Sequence, residues 1–277
     1  MNEPQSRVNI FEPQVLATDL DGTLIPNDET HHAALQALDQ LFRETDRTLV
    51  FVTGRDFDLT LQAIEDHKLP SPEWIICDVG SAIFQRNAAG DFVSVEDYRQ
   101  HLGSLCDDFT VAKLRLQLEK WPGLRLQEES KQGEFKLSFY SQAEEVERIE
   151  PELVHWLNTN NAPWSIISSI DPFTNDGLID FLPRDVSKAF ALEWWRQHEE
   201  WEQEQIVFAG DSGNDFAALT AGYLSIVVGN ATETVREKVQ AAHQHHGWKD
   251  RLHLAKGHST TGVLEGCREF GLCQHSD

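Results

Sequence analysis

Short apolar runs alternate with amphipathic helical patterns in the first part of the chain. The run Val15-Leu16-Ala17-Thr18 precedes apolar residues at helical spacing between positions 34 and 42, and the run Leu49-Val50-Phe51-Val52 follows them. A second helical pattern leads to the run Trp74-Ile75-Ile76-Cys77. Runs that are apolar on both faces are typical of parallel strands covered by helices. The pattern therefore predicts a βαβαβ arrangement.

The rhythm changes in the middle of the chain and then returns. Residues 135–140 alternate strictly between apolar and polar, which predicts a strand of an antiparallel sheet with one solvated face. Helical patterns flank this strand, and further strand candidates lie at 164–167 and 178–182. From Lys188 onward the βα pattern resumes. We therefore predict an α/β fold, a Rossmann-like doubly wound parallel sheet core with an inserted α+β cap domain.

Polar side chains occur where the predicted core strands end. These positions matter because ligands of a doubly wound sheet bind beyond the carboxyl ends of its strands. Four polar segments are present: Asp19-Leu20-Asp21-Gly22-Thr23, Thr53-Gly54-Arg55, Lys188 at a helix start, and Gly210-Asp211-Ser212-Gly213-Asn214-Asp215. The second of them offers a hydroxyl and backbone N–H groups at the start of a helix, a setting that favours phosphate.

The first and last of these segments bring several carboxylates toward one edge of the sheet. Such groups repel one another unless a cation lies among them, and oxygen-only ligands indicate Mg²⁺. A hydroxyl and a lysine nearby suit a phosphoryl group, whose transfer depends on positioning and charge neutralisation. A calcium loop or an Asx turn is the structural alternative for Asp19 and Asp21. The calcium loop is disfavoured because Gly22 stands at the fourth position rather than the sixth, and because a strand leads in.

The spacing of the segments locates the inserted domain. Asp21 and Thr53 are separated by a single crossover, whereas a much longer stretch separates Thr53 from Lys188. A crossover with its next strand takes roughly 30 residues, which leaves about 100 residues for an insert. The sequence therefore predicts a core formed by residues 1–84 and 183–277, and a cap formed by residues 85–182.

The four segments resemble the motifs of the haloacid-dehalogenase (HAD) phosphatase superfamily: D-x-D-x-T, a strand-end Thr or Ser, a Lys, and G-D-x-x-N-D. All four occur in the right order between Asp19 and Asp215. Within the superfamily the chain looks most like the sucrose-phosphate phosphatases, through segments 78–83, 135–138 and 210–215. The resemblance covers nearly the whole chain. It implies a phosphoric monoester hydrolase with a HAD-like core and a cap.

The resemblance also implies a role for each motif carboxylate. Asp19 would be the nucleophile and a magnesium ligand. Asp21 would be the general acid/base, and its backbone carbonyl would bind the metal. Asp211 would be the second carboxylate ligand, with Asp215 in support. The reaction itself needs an acid/base, because the leaving alkoxide must gain a proton and the attacking water must lose one.

The remaining motif residues are implied to bind the substrate. Thr53, Gly54 and Lys188 would hold the phosphate, and Asn214 would orient the site. The implied substrate is a sugar phosphate, most directly sucrose 6-phosphate or a related disaccharide phosphate. Two other functions fit the same motifs, a phosphomutase and a non-enzymatic sugar-phosphate sensor. The intact Asp19 disfavours the sensor, since degenerate domains usually lose the nucleophile.

Two positions depart from the family pattern. Ala82 stands where the family usually has Glu, and Ala189 stands where it has Gly. The chemistry does not depend on either residue, but a missing Glu at the mouth of the pocket removes a hydroxyl contact. We therefore expect a wider or different range of sugar phosphates. Lys136 and Ser138 lie on one face of the predicted cap strand, where they form either a solvated face or a substrate contact.

The charge balance limits the partners. The chain has 46 acidic and 23 basic residues, a formal net charge of -23. A field of this sign disfavours nucleic acid and anionic membranes, so an anionic substrate needs local positive charge. The first residues lack a signal-peptide pattern, no apolar run reaches membrane-spanning length, and the four cysteines show no metal or disulfide spacing. We expect a cytoplasmic protein that acts on a small molecule; the sequence does not indicate an oligomeric state.

Overall fold

The computed structural model describes residues 12–26, 31–106, 108–170 and 174–273. These residues form two compact units. The first unit consists of the described residues within Met1–Phe51, Gln62–Glu73 and Trp195–Asp277, and the second of those within Val52–Leu61 and Trp74–Trp194. The predicted cap, residues 85–182, falls within the second unit, and the predicted domain boundaries remain a prediction.

The strands in the described part of the chain are β1 (Val15–Thr18), β2 (Thr48–Val52), β3 (Trp74–Cys77), β4 (Ala82–Arg86), β5 (Phe92–Ser94), β6 (Arg125–Leu126), β7 (Leu137–Gln142), β8 (Trp164–Ile170), β9 (Asp176–Pro183), β10 (Ile206–Gly210), β11 (Leu224–Val227) and β12 (Leu252–Leu254). The helices there are α1 (His32–Glu44), α2 (Phe57–His67), α3 (Glu96–Cys106), α4 (Val111–Leu118), α5 (Ala143–Thr159), α6 (Lys188–His198), α7 (Phe216–Leu219), α8 (Glu233–His246) and α9 (Ser259–Glu269). None of these helices combines the length and the apolarity that crossing a membrane requires.

The first unit contains parallel strands in the order β12-β11-β10-β1-β2. β1 pairs in parallel with both neighbours, so that Val15 is the register partner of Ile206 and of Thr48. Every residue of β1 is buried, as expected for a strand covered on both faces. Apolar residues of α1 and α9 pack together with Leu16 in one core cluster. The continuous apolar runs of the sequence thus correspond to the buried parallel strands.

The second unit is built from antiparallel strands and helices. β3, β4 and β5 are antiparallel neighbours, and β6-β7-β9-β8 form a separate antiparallel sheet. The core of this sheet packs Phe139 and Phe181 against Leu114 of α4 and Leu153 of α5. The two phenylalanine rings meet edge to face, with centroids 5.9 Å apart. Parallel strands in one unit and antiparallel strands in the other confirm the predicted α/β class with an α+β portion.

One expectation about the second unit is wrong: the polar side of β7 is not solvated. Ser138 is fully buried, and Lys136, just before the strand, is 5% exposed. Both side chains have partners inside the unit, because Lys136 pairs with Asp78 and Ser138 bonds to Asp180. Alternation separates the two faces of a strand, but it does not determine whether the polar face meets water or other polar groups.

Candidate active site

Three carboxylates come together at the carboxyl ends of β1 and β10. These strands are parallel neighbours, with Thr18 opposite Ala209, so the residues that follow them lie at the same edge of the sheet. Asp19 follows β1, Asp211 follows β10, and Asp215 lies on the turn after Asp211. One oxygen atom from each carboxylate lies within 4.8 Å of the others. Asp19 is 4% exposed and Asp215 is fully buried, so the cluster is largely removed from water.

The turn after Asp19 depends on Gly22. The φ angle of this glycine is +75°, and a Cβ atom at this position would lie 2.6 Å from Oδ2 of Asp211. The hydroxyl of Thr23 donates a hydrogen bond of 2.9 Å to Oδ1 of the same aspartate. Gly22 therefore lets the turn approach the Asp211 carboxylate closely, and Thr23 orients that carboxylate.

Asn230 and Ser259 hold the same turn. The amide of Asn230 donates to the carbonyl oxygen of Gly22 over 2.7 Å and accepts from the Ser259 N–H, also over 2.7 Å. The Ser259 hydroxyl donates to the Gly22 carbonyl at 3.2 Å. Neither residue could be identified from the sequence, because they lie 208 and 237 residues from Gly22 and belong to no motif.

Asp215 anchors the turn after β10. Its Oδ2 accepts hydrogen bonds from the N–H groups of Asp211 and Ser212, each 3.2 Å long, and lies 3.1 Å from the Ser212 hydroxyl. β10 ends at Gly210, where a Cβ atom would lie 2.7 Å from the Cβ atom of Asp215. Asn214 is exposed on this turn, and its Oδ1 accepts from the Ser212 hydroxyl at 2.7 Å. These bonds fix Asp215 against the backbone that leads to Asp211.

The acidic cluster suits a divalent cation. Three carboxylates so close together repel one another, and their burial strengthens the repulsion. A hard cation with oxygen ligands offsets this charge. Among the described residues, the cluster comprises Asp19, Asp211 and Asp215, and it does not include the exposed side chain of Asp21. The predicted metal contact of Asp21 is its backbone carbonyl, which stays a prediction.

Thr53 and Gly54 lie at the end of β2, in the second unit. Thr53 is fully buried; its N–H donates to the carbonyl of Ile76 at 2.9 Å, and its carbonyl accepts from the Val79 N–H at 3.2 Å. The Thr53 hydroxyl accepts from the N–H of Arg55 at 3.2 Å. Both the hydroxyl and the backbone of this segment are therefore held in place.

Lys188 begins α6 and is only 1% exposed. The hydroxyl of the preceding Ser187 accepts from the N–H of Phe190 at 3.2 Å, which caps this helix start. A Cβ atom on Gly80 would lie 2.9 Å from the backbone nitrogen of Lys188, so the chain packs closely here. The predicted site residues thus divide between the units: Asp19, Asp21, Asp211, Asn214 and Asp215 belong to the first, and Thr53, Gly54 and Lys188 to the second.

A cavity of about 200 Å³ lies beside Ala82 in the second unit. Asp78 and Phe135 also line it. The carboxylate of Asp78 accepts a hydrogen bond of 2.7 Å from Nζ of Lys136, and the two side chains are 13% and 6% exposed. Asp78, on the wall of the cavity, is therefore one member of a buried ion pair.

Lys136 keeps its charge in this setting. Burial lowers the pKa of its ammonium group, but the carboxylates of Asp78 and Asp180 outweigh burial and hold the pKa above its usual value. The Ser138 hydroxyl donates to Oδ1 of Asp180 at 2.5 Å. Of the two alternatives for Lys136 and Ser138, the solvated face is therefore excluded, and the substrate contact stays a prediction.

Comparison with known proteins supplies a family. The family model described as sucrose-6F-phosphate phosphohydrolase matches residues 12–271. A HAD-like hydrolase of Nitrosococcus oceani is 34% identical over 268 residues, which cover 92% of this chain and 71% of that protein. The mannosylfructose-phosphate phosphatase of Agrobacterium fabrum is 28% identical over 266 residues, which cover 94% of this chain and 97% of that protein. In fold, the chain is similar to the sucrose-phosphatase of Synechocystis solved with sucrose and phosphate, with a TM-score of 0.74, 22% identity, and coverage of 94% and 99% of the two chains.

We predict that Gly22→Ala displaces the Asp211 carboxylate, because the new Cβ atom would lie 2.6 Å from its Oδ2. The affinity for Mg²⁺, measured by titration calorimetry, should fall roughly tenfold, equivalent to about 1.4 kcal/mol. The free energy of unfolding should fall by about 1–3 kcal/mol because alanine is strained at this φ.

Gly247→Ala is the matched control. Gly247 has the same φ of +75°, but a Cβ atom there would have no neighbour within 4 Å. This variant should lose stability and keep its Mg²⁺ affinity. An unchanged Mg²⁺ affinity in Gly22→Ala would contradict the role given to the close approach.

Proposed function

Because the chain belongs to the sucrose-6F-phosphate phosphohydrolase family, we propose that it is a magnesium-dependent sugar-phosphate phosphatase that acts through an aspartyl-phosphate on Asp19. The chain is a phosphoric monoester hydrolase of the HAD superfamily. The observation that carries the finer proposal is the cluster of Asp19, Asp211 and Asp215, whose carboxylate oxygens lie within 4.8 Å of one another. Mutual repulsion makes such a cluster unfavourable for folding, whereas a site that binds a cation and a phosphoryl group requires these carboxylates.

Mg²⁺ would be held by the carboxylates of Asp19, Asp211 and Asp215 and by the backbone carbonyl of Asp21. When bound, the ion supplies positive charge that offsets the carboxylates and the phosphoryl oxygens. Asp215 holds the turn that carries Asp211, through the hydrogen bonds it accepts from this turn. Asn214 on the same turn orients the site.

Asp19 acts as the nucleophile in this proposal. Its carboxylate oxygen forms a bond to phosphorus while the bond from phosphorus to the sugar oxygen breaks. Asp21, which is exposed, gives a proton to the departing sugar oxygen. Asp21 then takes a proton from the water that attacks the aspartyl-phosphate, which releases inorganic phosphate and restores Asp19. After the two steps Asp21 has regained the proton that it gave, and Asp19 is again a free carboxylate.

Thr53, Gly54 and Lys188 bind the phosphoryl group in the same proposal. The Thr53 hydroxyl and the N–H group of Gly54 are hydrogen-bond donors of the kind that bind phosphate. Lys188 carries the positive charge of this site with 1% of its surface exposed, and low exposure strengthens its attraction for an anion. The local positive charge that a chain of net charge -23 needs is thereby provided.

The substrate we propose is sucrose 6-phosphate or a related disaccharide phosphate. The similarity to the phosphatases named for mannosylfructose phosphate and for sucrose supports this class. The cavity of about 200 Å³ beside Ala82 has room for part of a small organic leaving group. The partner is then a small molecule, and the cytoplasmic location expected from the sequence stays a prediction.

The test of this function is phosphate release from a panel of mono- and disaccharide phosphates. We expect release from disaccharide phosphates with Mg²⁺, loss of activity with EDTA, and recovery with Mg²⁺ but not with Ca²⁺, whose higher coordination misplaces the nucleophile. Full activity after exhaustive chelation would exclude the metal. An isomerised sugar phosphate would indicate a phosphomutase, and binding without turnover would indicate a sensor.

Asp19→Asn and Asp21→Asn separate the two catalytic roles. Asp19→Asn should leave less than roughly a tenth of the activity on every ester, because an amide does not attack phosphorus. Asp21→Asn should abolish turnover of sugar phosphates but keep part of the turnover of an aryl phosphate, whose leaving group needs no proton. Circular dichroism should show both variants folded. Equal losses on the two substrate classes in Asp21→Asn would contradict its role as the acid.

Ala82→Glu should shift the preference toward sucrose 6-phosphate. A charged hydrogen bond to a sugar hydroxyl contributes about 1.5–3 kcal/mol, a factor of roughly ten to a hundred in selectivity. The measurement is the ratio of kcat/KM values for sucrose 6-phosphate and other disaccharide phosphates. Ala89→Glu, at an exposed position outside the cavity, is the charge-matched control. The assignment fails if the native chain already prefers sucrose 6-phosphate a hundredfold.

A further inference from the structure

The segment Asp78–Gly80, between β3 and β4, has an unusual backbone. Its three residues have positive φ angles of 51°, 59° and 101° in succession. Glycine adopts this region freely and aspartate tolerates it better than most residues, whereas a β-branched residue such as Val79 is strongly disfavoured there. Such a turn persists only when neighbouring contacts hold it.

This turn contacts both segments of the second unit that are proposed to bind phosphate. The N–H of Asp78 donates to the carbonyl of Arg55 at 2.7 Å, and the N–H of Val79 donates to the carbonyl of Thr53 at 3.2 Å. On the other side, a Cβ atom on Gly80 would lie 2.3 Å from the carbonyl oxygen of Ser187. The turn therefore packs directly against the backbone at Thr53 and at the start of α6.

The Asp78 side chain ties the turn to a distant part of the unit. Its Oδ1 lies 2.7 Å from Nζ of Lys136, and the two side chains are 13% and 6% exposed. Lys136 directly precedes β7, whose residue Ser138 is bonded to Asp180 on β9. The turn is also held by the Tyr98 hydroxyl, which donates to the Gly80 carbonyl at 2.6 Å. Of these two side-chain anchors, the ion pair acts on Asp78 and the Tyr98 hydroxyl acts on Gly80.

We infer that Asp78 is a positioning residue, whose ion pair with Lys136 holds the strained turn and thereby places Thr53 and Lys188 for phosphate binding. The inference rests on the proposed function in one respect, that Thr53 and Lys188 bind phosphate. It assigns Asp78 no contact with the substrate, although the residue lines the cavity beside Ala82. The alternative is that Asp78 contacts the bound ligand directly, and the experiments must distinguish this contact from a positioning role.

The first experiment measures phosphate binding by the full chain in the presence of Mg²⁺, with inorganic phosphate as the titrant. Asp78→Asn and Lys136→Met should each weaken phosphate binding by roughly tenfold. Amide hydrogen exchange should accelerate in segments 53–60 and 187–192 of both variants. Lys131→Met is the matched control, because Lys131 pairs with Glu128 at 3.5 Å in the same unit without touching the turn. It should change neither quantity.

The second experiment tests whether backbone strain in the turn is the reason that loss of the ion pair weakens phosphate binding. Val79→Gly makes the positive φ at position 79 favourable, so the turn should depend less on the ion pair. In this background, Asp78→Asn should weaken phosphate binding less than roughly threefold, and the exchange rates should stay near those of Val79→Gly alone. This double variant also replaces Asp78→Asn if the single variant does not fold.

The outcomes separate the two proposals. Unchanged phosphate affinity and exchange in Asp78→Asn would overturn the positioning role, and so would a defect that Val79→Gly does not rescue, which would indicate direct contact with the ligand. Absence of phosphate binding in the native chain would also overturn it. If the native chain binds phosphate and the variants behave as expected, but no sugar phosphate is hydrolysed, the proposed function fails and the positioning role stands.

Discussion

Electrostatic repulsion among Asp19, Asp211 and Asp215 is the constraint on which the arrangement of the first unit's site depends. Two unit charges about 4 Å apart repel by about 4 kcal/mol at the effective dielectric constant of a protein surface. A whole domain is stable by only about 5–15 kcal/mol. Holding one oxygen from each of three charged carboxylates within 4.8 Å of the others is therefore costly, and a cation among them would offset this cost.

Hydrogen bonds from the surrounding residues hold the three carboxylates in this unfavourable arrangement. Thr23 bonds to the Asp211 carboxylate, the backbone after β10 donates to Asp215, and Asn230 fixes the Gly22 carbonyl. Each such hydrogen bond contributes about 1 kcal/mol net, so several are needed to balance one repulsive contact. The polar residues at this edge thus hold in place the carboxylates that are proposed to react and to bind the metal.

The sequence predicted the parallel core well because its strands are encoded locally. The run Val15-Leu16-Ala17-Thr18 coincides with β1, and the run Leu49-Val50-Phe51-Val52 lies within β2. β5 and β6 were not predicted, because they are short and partly exposed and so lack a continuous apolar run. The buried polar face of β7 could not be predicted either. Its polarity reflects partners distant in sequence, since Lys136 pairs with Asp78, 58 residues away.

In the site, too, only features that are encoded in a few consecutive residues could be predicted. The motif carboxylates could be identified because a strand end and a glycine turn are visible in a few consecutive residues. Asn230 contacts Gly22, which is distant in sequence, and Asp78 contacts Lys136 and lies in a turn with unusual backbone angles. Neither feature produces a pattern in a few consecutive residues of the sequence. Asp78 was included in a segment that resembles the family, but nothing in that segment indicates that three successive residues have positive φ.

The distribution of charge explains how so acidic a chain can act on an anion. Most of the net charge of -23 is carried by side chains on the surface, and at physiological ionic strength their field decays over about 8 Å. Lys188 and Lys136 are 1% and 5% exposed, so salt screens their fields much less. Lys136, however, is matched by Asp78 and Asp180, which leaves no net positive charge around it. In the proposed reaction, Lys188 attracts the phosphate within the second unit. The cavity beside Ala82 gains no net attraction for an anion from the Asp78–Lys136 pair, because the charges of this pair are already balanced.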